Sequence, residues 1–262
     1  MSKQFHLWLQ LTRREIDARH KGSYLGVTWV LLGPLLEFSV YATVFGVIFG
    51  GHYRTDQPEP RLVYALGIFL SLTIFRFVSE TIAVTPGVIA FQPNFVKKIV
   101  FPLHLLPLSV VGGIAYRCAV SLGLFVVGFL VFGPHLSLLN LWFPLVLMPI
   151  VLMAVGLSWL LAALGVFLRD INQITGVGTL ILLYSSAVFY STTMVKTKSP
   201  GTWRILRLNP LVHVMENSRR VLLWHEAPSL ASLTYTWIAA LALCAVGLMI
   251  FKRLRPAFAD VI

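Results

Sequence analysis

The chain has 262 residues, of which 57% are hydrophobic and 12% are charged, whereas soluble domains contain about 45–50% apolar and about 25% charged residues. A soluble fold of this length could not bury that much apolar surface, so the composition excludes an ordinary soluble domain and indicates one compact membrane domain. The formal net charge of +11 does not indicate a nucleic-acid partner, because the basic residues mostly flank apolar stretches.

The N-terminal segment, residues 3–21, is predicted to form an amphipathic helix that lies in the membrane interface. Its apolar residues recur at helical spacing on one side, and charged residues fill the rest. Gly22 is predicted to end the helix. The residues of the apolar side are Phe5, Trp8, Leu9, Thr12 and Ile16.

The basic residues of this segment allow two interpretations. They can anchor the helix to anionic lipid by charge alone. Alternatively, they can recognise a lipid-linked pyrophosphate at the cytoplasmic surface, because a planar guanidinium binds phosphate oxygens bidentately. Both interpretations concern Arg13, Arg14, Arg19 and Lys21.

Six apolar stretches are long enough to cross a bilayer, since a span needs about 20 mostly apolar residues. The sequence therefore predicts an all-α integral membrane protein with six transmembrane helices and with both termini on the same side. The predicted spans are residues 27–50, 62–82, 105–132, 141–167, 174–195 and 233–251.

Positive charge in the connections predicts the orientation, because short loops rich in Lys and Arg remain in the cytoplasm. Basic residues precede the first span, follow the last one, and occur in the second-to-third and fourth-to-fifth connections. Both termini are therefore predicted to be cytoplasmic. The residues are Lys3, Arg13, Arg14, Arg19, Lys21, Lys97, Lys98, Arg169, Lys252, Arg253 and Arg255.

The connection 196–232 departs from this pattern, because it carries six basic residues and lies outside if there are six spans. It is either a folded external element or a hidden seventh crossing. Its prolines, with short apolar pieces between them and no uninterrupted 18-residue apolar run, favour short helices that dip into the outer leaflet and return. Those prolines are Pro200, Pro210 and Pro228.

Four ionisable residues lie inside predicted spans, where charge is costly and therefore informative. Arg76 and Glu80 are one helical turn apart, which predicts either a self-neutralising pair or a role in gating. Glu37 and Arg117 have no partner in their own spans. The sequence does not decide whether these two residues pair with each other in the folded chain.

Aromatic residues are frequent in the first and fifth spans. They either pack against other helices and at the interfaces, or they form a tunnel wall on which sugar rings slide, because pyranose rings stack on aromatic faces. The residues predicted to line such a path are Phe38, Tyr41, Phe45, Tyr184, Phe189 and Tyr190.

Nucleotide and metal motifs are missing from the sequence. No Gly-Lys dipeptide occurs, so the phosphate-binding loop of P-loop ATPases cannot form. The seven His and two Cys residues show no metal-ligand spacing. The chain is therefore predicted not to be an ATPase of that type and to hold no metal.

Several short motifs occur in a fixed order along almost the whole chain. They are Arg13-Arg14-Glu15-Ile16, Lys21-Gly22-Ser23-Tyr24-Leu25-Gly26, Gly33-Pro34-Leu35-Leu36, Val44-Phe45-Gly46, Pro93-Asn94-Phe95-Val96-Lys97-Lys98, Phe167-Leu168-Arg169-Asp170-Ile171 and Asn209-Pro210-Leu211-Val212-His213-Val214. Together they resemble the permease subunits of ATP-binding-cassette (ABC-2 type) exporters of surface polysaccharides, such as O-antigens, capsules and teichoic acids.

This resemblance implies a single ABC-2 type transmembrane domain over residues 1–262, located in the bacterial cytoplasmic (inner) membrane. It implies a homodimer that works with two copies of an ATPase subunit, which bind ATP and Mg²⁺, so that this chain needs no cofactor and is not itself an enzyme. It also implies re-entrant helices before the last span and a cytoplasmic helix near residues 85–100 that docks on the ATPase. The implied ATPase contacts are Phe95, Lys97 and Lys98.

The implied substrate is a lipid-linked surface polysaccharide, which the aromatic spans and the basic cytoplasmic segment favour. The same fold also serves drug and small-lipid exporters, so an efflux permease is the alternative. An integral membrane enzyme acting on lipid-linked sugars would need an acid/base site, for which Asp170, Glu216 and His213 are too dispersed in the sequence.

Overall fold

The computed structural model describes residues 3–20, 26–48, 50–54, 59–97, 101–168 and 170–261. Within these ranges the chain forms helices and turns and contains no strand, which confirms the all-α prediction. The helices are α1 Lys3–His20, α2 Trp29–Tyr41, α3 Arg61–Val84, α4 Gly87–Ala90, α5 Pro93–Lys97, α6 Leu105–Phe132, α7 Phe143–Phe167, α8 Ile171–Ser185, α9 Thr192–Lys198, α10 Pro200–Leu206, α11 Pro210–Leu222, α12 Leu230–Leu254 and α13 Phe258–Val261. A π-helix, Ala42–Ile48, continues α2.

Five helical segments in the described ranges are long and apolar enough to cross a membrane. They match the first four predicted spans and the last one, with boundaries that differ by a few residues. The segments are Trp29–Ile48, Arg61–Val84, Leu105–Phe132, Leu138–Phe167 and Leu230–Ala257.

The fifth predicted span, residues 174–195, has a shorter helix than its apolar length suggests. Helix α8 ends at Ser185 after 15 residues, roughly 22 Å at 1.5 Å per residue, and the chain then turns over residues 186–190. The turn is itself apolar, containing Ala187, Val188 and Phe189, so hydropathy alone does not show where the helix stops.

The connection 196–232 folds into short helices, as its prolines predicted. The longest of them, α11, has 13 residues, too few for a crossing that needs about 20. Pro200 and Pro210 occupy the first turns of α10 and α11, where a missing N–H costs no helical hydrogen bond. The Asn209 side chain accepts from the Leu211 amide at 3.0 Å and caps α11. The structure describes all of this connection, and none of its short helices is long and apolar enough to cross a membrane.

Helix α3 occupies the centre of the bundle and is buried along most of its length. It packs against α2, α6, α7, α8 and α11. Helices α7 and α12 make the most extensive helix–helix contact, and Gly156 and Gly247 let their backbones approach closely. A methyl group on Gly156 would lie 2.6 Å from the Leu243 carbonyl oxygen. Small residues commonly mediate such contacts between membrane helices.

The bundle has two distinguishable ends. The α1 end carries α1, α4, α5 and α13, where α13 contacts α5. The α11 end carries residues 50–54, the start of α3, the turn 186–190 and helices α9 to α11. Contacts such as the one from the Trp224 indole N–H to Glu59 Oε1, at 3.1 Å, hold the α11 end together.

Candidate functional site

Three of the predicted path residues form a stack, here called the aromatic cluster: Tyr41, Phe45 and Phe189. The ring centroids of Phe45 and Phe189 are 4.5 Å apart with planes 12° apart, and those of Tyr41 and Phe189 are 5.3 Å apart. All three side chains are half-buried. The structure therefore brings aromatic residues of the first and fifth predicted spans together, which the sequence could not show.

The other three predicted path residues lie near this cluster along the chain. Phe38 is one turn before Tyr41 and packs on Phe69, with centroids 5.1 Å apart. The Tyr190 hydroxyl donates to the Tyr184 carbonyl at 2.7 Å. The Tyr184 side chain itself is 64% exposed.

A turn at residues 186–190 carries Phe189 into the cluster. Ala187 in this turn has a positive φ of 54°, which residues with a Cβ rarely adopt. Three buried side chains donate to its carbonyls: Arg219 to Ala187 at 3.0 Å, Tyr53 to Val188, and Tyr64 to Phe189 at 2.9 Å. Sequence reasoning missed these donors, because nothing in the sequence indicates that an arginine of the connection 196–232 is wholly buried.

The Asn209 side chain also reaches the end of α8. Its amide N–H groups donate to the Ser185 carbonyl at 3.2 Å and to Ser186 Oγ at 3.0 Å. The same side chain caps α11, so it joins the two elements. This double role gives a physical reason for an asparagine in the Asn209-Pro210 motif.

The four intramembrane charges form two ion pairs that differ from the expected ones. Arg76 on α3 pairs with Glu37 on α2, and Glu80 on α3 pairs with Arg117 on α6. Helix α3 contacts both neighbours, so the two residues one turn apart each meet a partner on a different helix. Neither the self-neutralising pair of Arg76 with Glu80 nor the tertiary pair of Glu37 with Arg117 is the arrangement found.

A cleft of about 140 Å³ separates α2, α3 and α6 at these pairs. Arg76, Glu80 and Arg117 line it together with apolar residues of the same helices. The Arg76 and Glu37 side chains are 41% and 37% exposed, although Arg76 lies eight residues, or roughly 12 Å, from the end of α3. Charged groups at such depth face water or protein, because hydrocarbon cannot solvate them.

At the α1 end, Arg14 links two predicted sites. Its guanidinium donates to Gln92 Oε1 at 3.2 Å and lies 5.7 Å from the ring centroid of Phe95. A predicted phosphate ligand therefore lies beside a predicted ATPase contact. Arg13 is exposed. Lys21, Lys98 and the side chains of Arg19 and Lys97 lie outside the described part of the chain.

Helix α1 is fixed against the start of α6. The Trp8 indole N–H donates to the Leu108 carbonyl at 3.1 Å, and a methyl group on Gly112 would lie 2.7 Å from Thr12 Oγ1. Leu11 and Thr12 are buried in this contact, whereas Phe5 and Leu9 of the predicted apolar side remain exposed. The predicted apolar side of α1 is therefore partly packed against α6 and partly exposed on the surface of the bundle.

Within the described ranges, no three His, Cys, Asp or Glu side chains converge to hold a metal ion.

Known proteins with similar sequences identify the family of this chain. An O-antigen export system permease protein RfbA from Klebsiella pneumoniae is 27% identical over 268 residues, covering 98% of this chain and 95% of its own. A second RfbA from the same organism is 28% identical with the same coverage. An RfbA from Myxococcus xanthus is 26% identical, and the match covers 97% of this chain and 94% of that protein. The sequence model of the ABC-2 type transporter family matches residues 6–223, and the chain therefore belongs to that family.

Proposed function

We propose that this chain is the permease subunit of an ATP-driven transporter that exports a lipid-linked surface polysaccharide across the bacterial cytoplasmic membrane. The observation that carries the proposal is the likeness, over 97–98% of the chain, to permeases named for O-antigen export. Capsule and teichoic acid belong to the same substrate class, a long polymer on a lipid carrier. A drug or small-lipid efflux permease of the same fold is the alternative.

The working unit is a homodimer with two copies of an ATPase subunit. The chain has no phosphate-binding loop of its own, so ATP and Mg²⁺ bind to the partner, and this subunit supplies the path. Phe95, with Lys97 and Lys98, contacts the ATPase. Arg14 lies beside Phe95, so the proposed phosphate-binding residue adjoins the proposed ATPase contact. This position supports a direct coupling between binding of the lipid phosphate and the ATPase.

Six crossings with both termini in the cytoplasm fit the contacts of α8. Helix α7 ends near the α1 end, where Gly165 packs against the backbone of Pro86. The turn after α8 contacts Tyr53 and Tyr64 at the α11 end. Helix α8 therefore runs from one end of the bundle towards the other, and we propose that its 15 residues together with the apolar turn 186–190 form the fifth crossing.

The aromatic cluster forms part of the path. Pyranose rings present flat C–H faces that stack on aromatic rings without strongly directional bonds, so a polymer can move from one ring to the next. Phe38, Tyr184 and Tyr190 extend this surface. The half-burial of the stacked rings leaves faces or edges available to a ligand.

The proposal is tested in a strain that lacks the chain, by comparing lipid-linked glycan at the cell surface with glycan retained inside. We expect retained glycan and a bare surface, both reversed by expression of the wild-type chain. An unchanged surface would discard polysaccharide export and favour efflux of a smaller substrate, which a change in drug sensitivity of the same strain would then support.

A further inference from the structure

Three successive carbonyl groups after α8 are each held by a different buried side chain. Arg219 of α11 donates to Ala187, Tyr53 of the segment 50–54 donates to Val188, and Tyr64 of α3 donates to Phe189. These donors are at most 2% exposed, and they come from three separate elements. We name the three side chains the carbonyl clamp.

The clamp compensates an unfavourable piece of backbone. The carbonyls of residues 187–189 lie beyond the end of α8 and take part in no helix, and a buried carbonyl without a partner is destabilising. Ala187 also adopts the left-handed conformation, which an L residue with a Cβ disfavours. The turn therefore keeps its shape because the surrounding side chains impose it, and not because of its own sequence.

Arg219 is the centre of the clamp. Its guanidinium also donates to Ser71 Oγ at 3.3 Å and to Glu216 Oε2 at 3.1 Å, and it lies 4.0 Å from the ring centroid of Tyr53. A buried guanidinium needs such partners to offset its lost hydration. The same residue thus fixes α3, α11 and the segment 50–54 relative to the turn.

The two tyrosines act as fixed donors. The Tyr53 amide donates to Glu59 Oε2 at 2.8 Å, which holds the segment in place. Burial raises the pKa of Tyr53, so its hydroxyl keeps the proton that it donates to Val188. The rings of Tyr53 and Tyr64 pack together with centroids 4.7 Å apart, so each ring limits the movement of the other.

We propose that Arg219, Tyr53 and Tyr64 are positioning residues that hold the ring of Phe189 in the aromatic cluster. The carbonyl of Phe189 is held by Tyr64, and its ring stacks on Phe45 and Tyr41. The expected effect of the clamp on export rests on the proposed function, because the clamp can assist export only if the aromatic cluster contacts the glycan. The clamp itself does not depend on that function.

The test uses variants that remove only a hydroxyl group, since replacing the buried Arg219 can prevent folding. Tyr53→Phe and Tyr64→Phe keep both rings. Tyr235→Phe is the matched control, because its hydroxyl donates to the Leu208 carbonyl at 2.6 Å, outside the turn. Amide hydrogen exchange over residues 186–190 is measured by mass spectrometry on the purified complex with the ATPase, and surface glycan is measured in cells.

We expect exchange over the turn to rise about threefold to tenfold in Tyr53→Phe and Tyr64→Phe, and to stay unchanged in Tyr235→Phe. Surface glycan should fall with the first two variants, as it should with Phe189→Leu. Wild-type exchange in both clamp variants would overturn the proposal whatever the export result. Faster exchange with normal export in all variants would instead retain the clamp and contradict the aromatic path.

Discussion

Tyr41, Phe45 and Phe189 can contact a sugar only through ring faces or edges that the stack leaves free, so the size of each ring matters more than its hydroxyl. We predict that Tyr41→Ala and Phe45→Ala reduce surface glycan several-fold, whereas Tyr41→Phe exports normally. Phe132→Ala, an exposed aromatic residue of α6, is the control. Surface glycan per membrane-inserted permease is the measurement, and normal export by both alanine variants would contradict the aromatic path.

The residue types at the site could be predicted, but their partners could not. Aromatic residues in two spans, and charges inside spans, stand out in the sequence because composition there is otherwise apolar. Which ring stacks on which depends on the rotation of α2 and on where α8 ends, and neither quantity is encoded locally. In the sequence Arg219 is one of six basic residues of the connection 196–232, and nothing local shows that it is buried, because burial is a tertiary property.

At the scale of elements, the two ion pairs tie α2 and α6 to α3. We predict that Glu37→Gln lowers the melting temperature of the purified protein by about 2–4 °C, because a partly exposed pair contributes up to about 1 kcal/mol. The exchange variant Glu37→Arg with Arg76→Glu should recover most of this loss.

A second exchange variant, Glu37→Arg with Arg117→Glu, distinguishes the pairing found here from the one that the sequence left open. It joins residues that are not paired in the structure and also removes the partner of Glu80. It should therefore melt below Glu37→Gln. Recovery by this variant instead of the first would show that Glu37 pairs with Arg117.

The contact between α7 and α12 depends on two glycines. A larger side chain at Gly247 would meet the backbone of Gly156, so Gly247→Leu should destabilise the protein by about 1–3 kcal/mol and lower its yield in the membrane. Gly123→Leu is a matched control on α6, where an added Cβ would meet no atom within 4 Å. Equal thermal stability of the two variants in detergent would show that the close approach is not required.

Helix positions were largely predictable, because long apolar runs have few alternatives in a membrane. The predicted span 105–132 coincides with α6, and 62–82 lies within α3. The predicted span 174–195 extends beyond the helix found there, because α8 ends at Ser185 and the apolar turn after it takes its shape from donors on other elements. Prolines identified the short helices of 196–232, because proline stops or starts a helix by its own geometry.

At the scale of the whole molecule, the proposed function requires six crossings and cytoplasmic termini. Single cysteines in a chain lacking Cys118 and Cys244 test this with a maleimide that does not cross membranes. Ser199→Cys, between α9 and α10, should react in intact cells, and Ala257→Cys should react only after permeabilisation. Labelling of both from outside would contradict a crossing by α12, and the reverse pattern would contradict the orientation.

The proposed function requires that this chain provides the path for a lipid-linked glycan while a partner supplies ATP hydrolysis. Its most direct test is a proteoliposome containing the chain, its ATPase and a labelled lipid-linked oligosaccharide, with movement across the bilayer followed by access of an added glycosidase. We predict movement that requires ATP, Mg²⁺ and both subunits, and that is reduced by Tyr41→Ala. The proposed function would be contradicted if no movement occurs with both subunits and ATP present, or if movement proceeds equally without ATP.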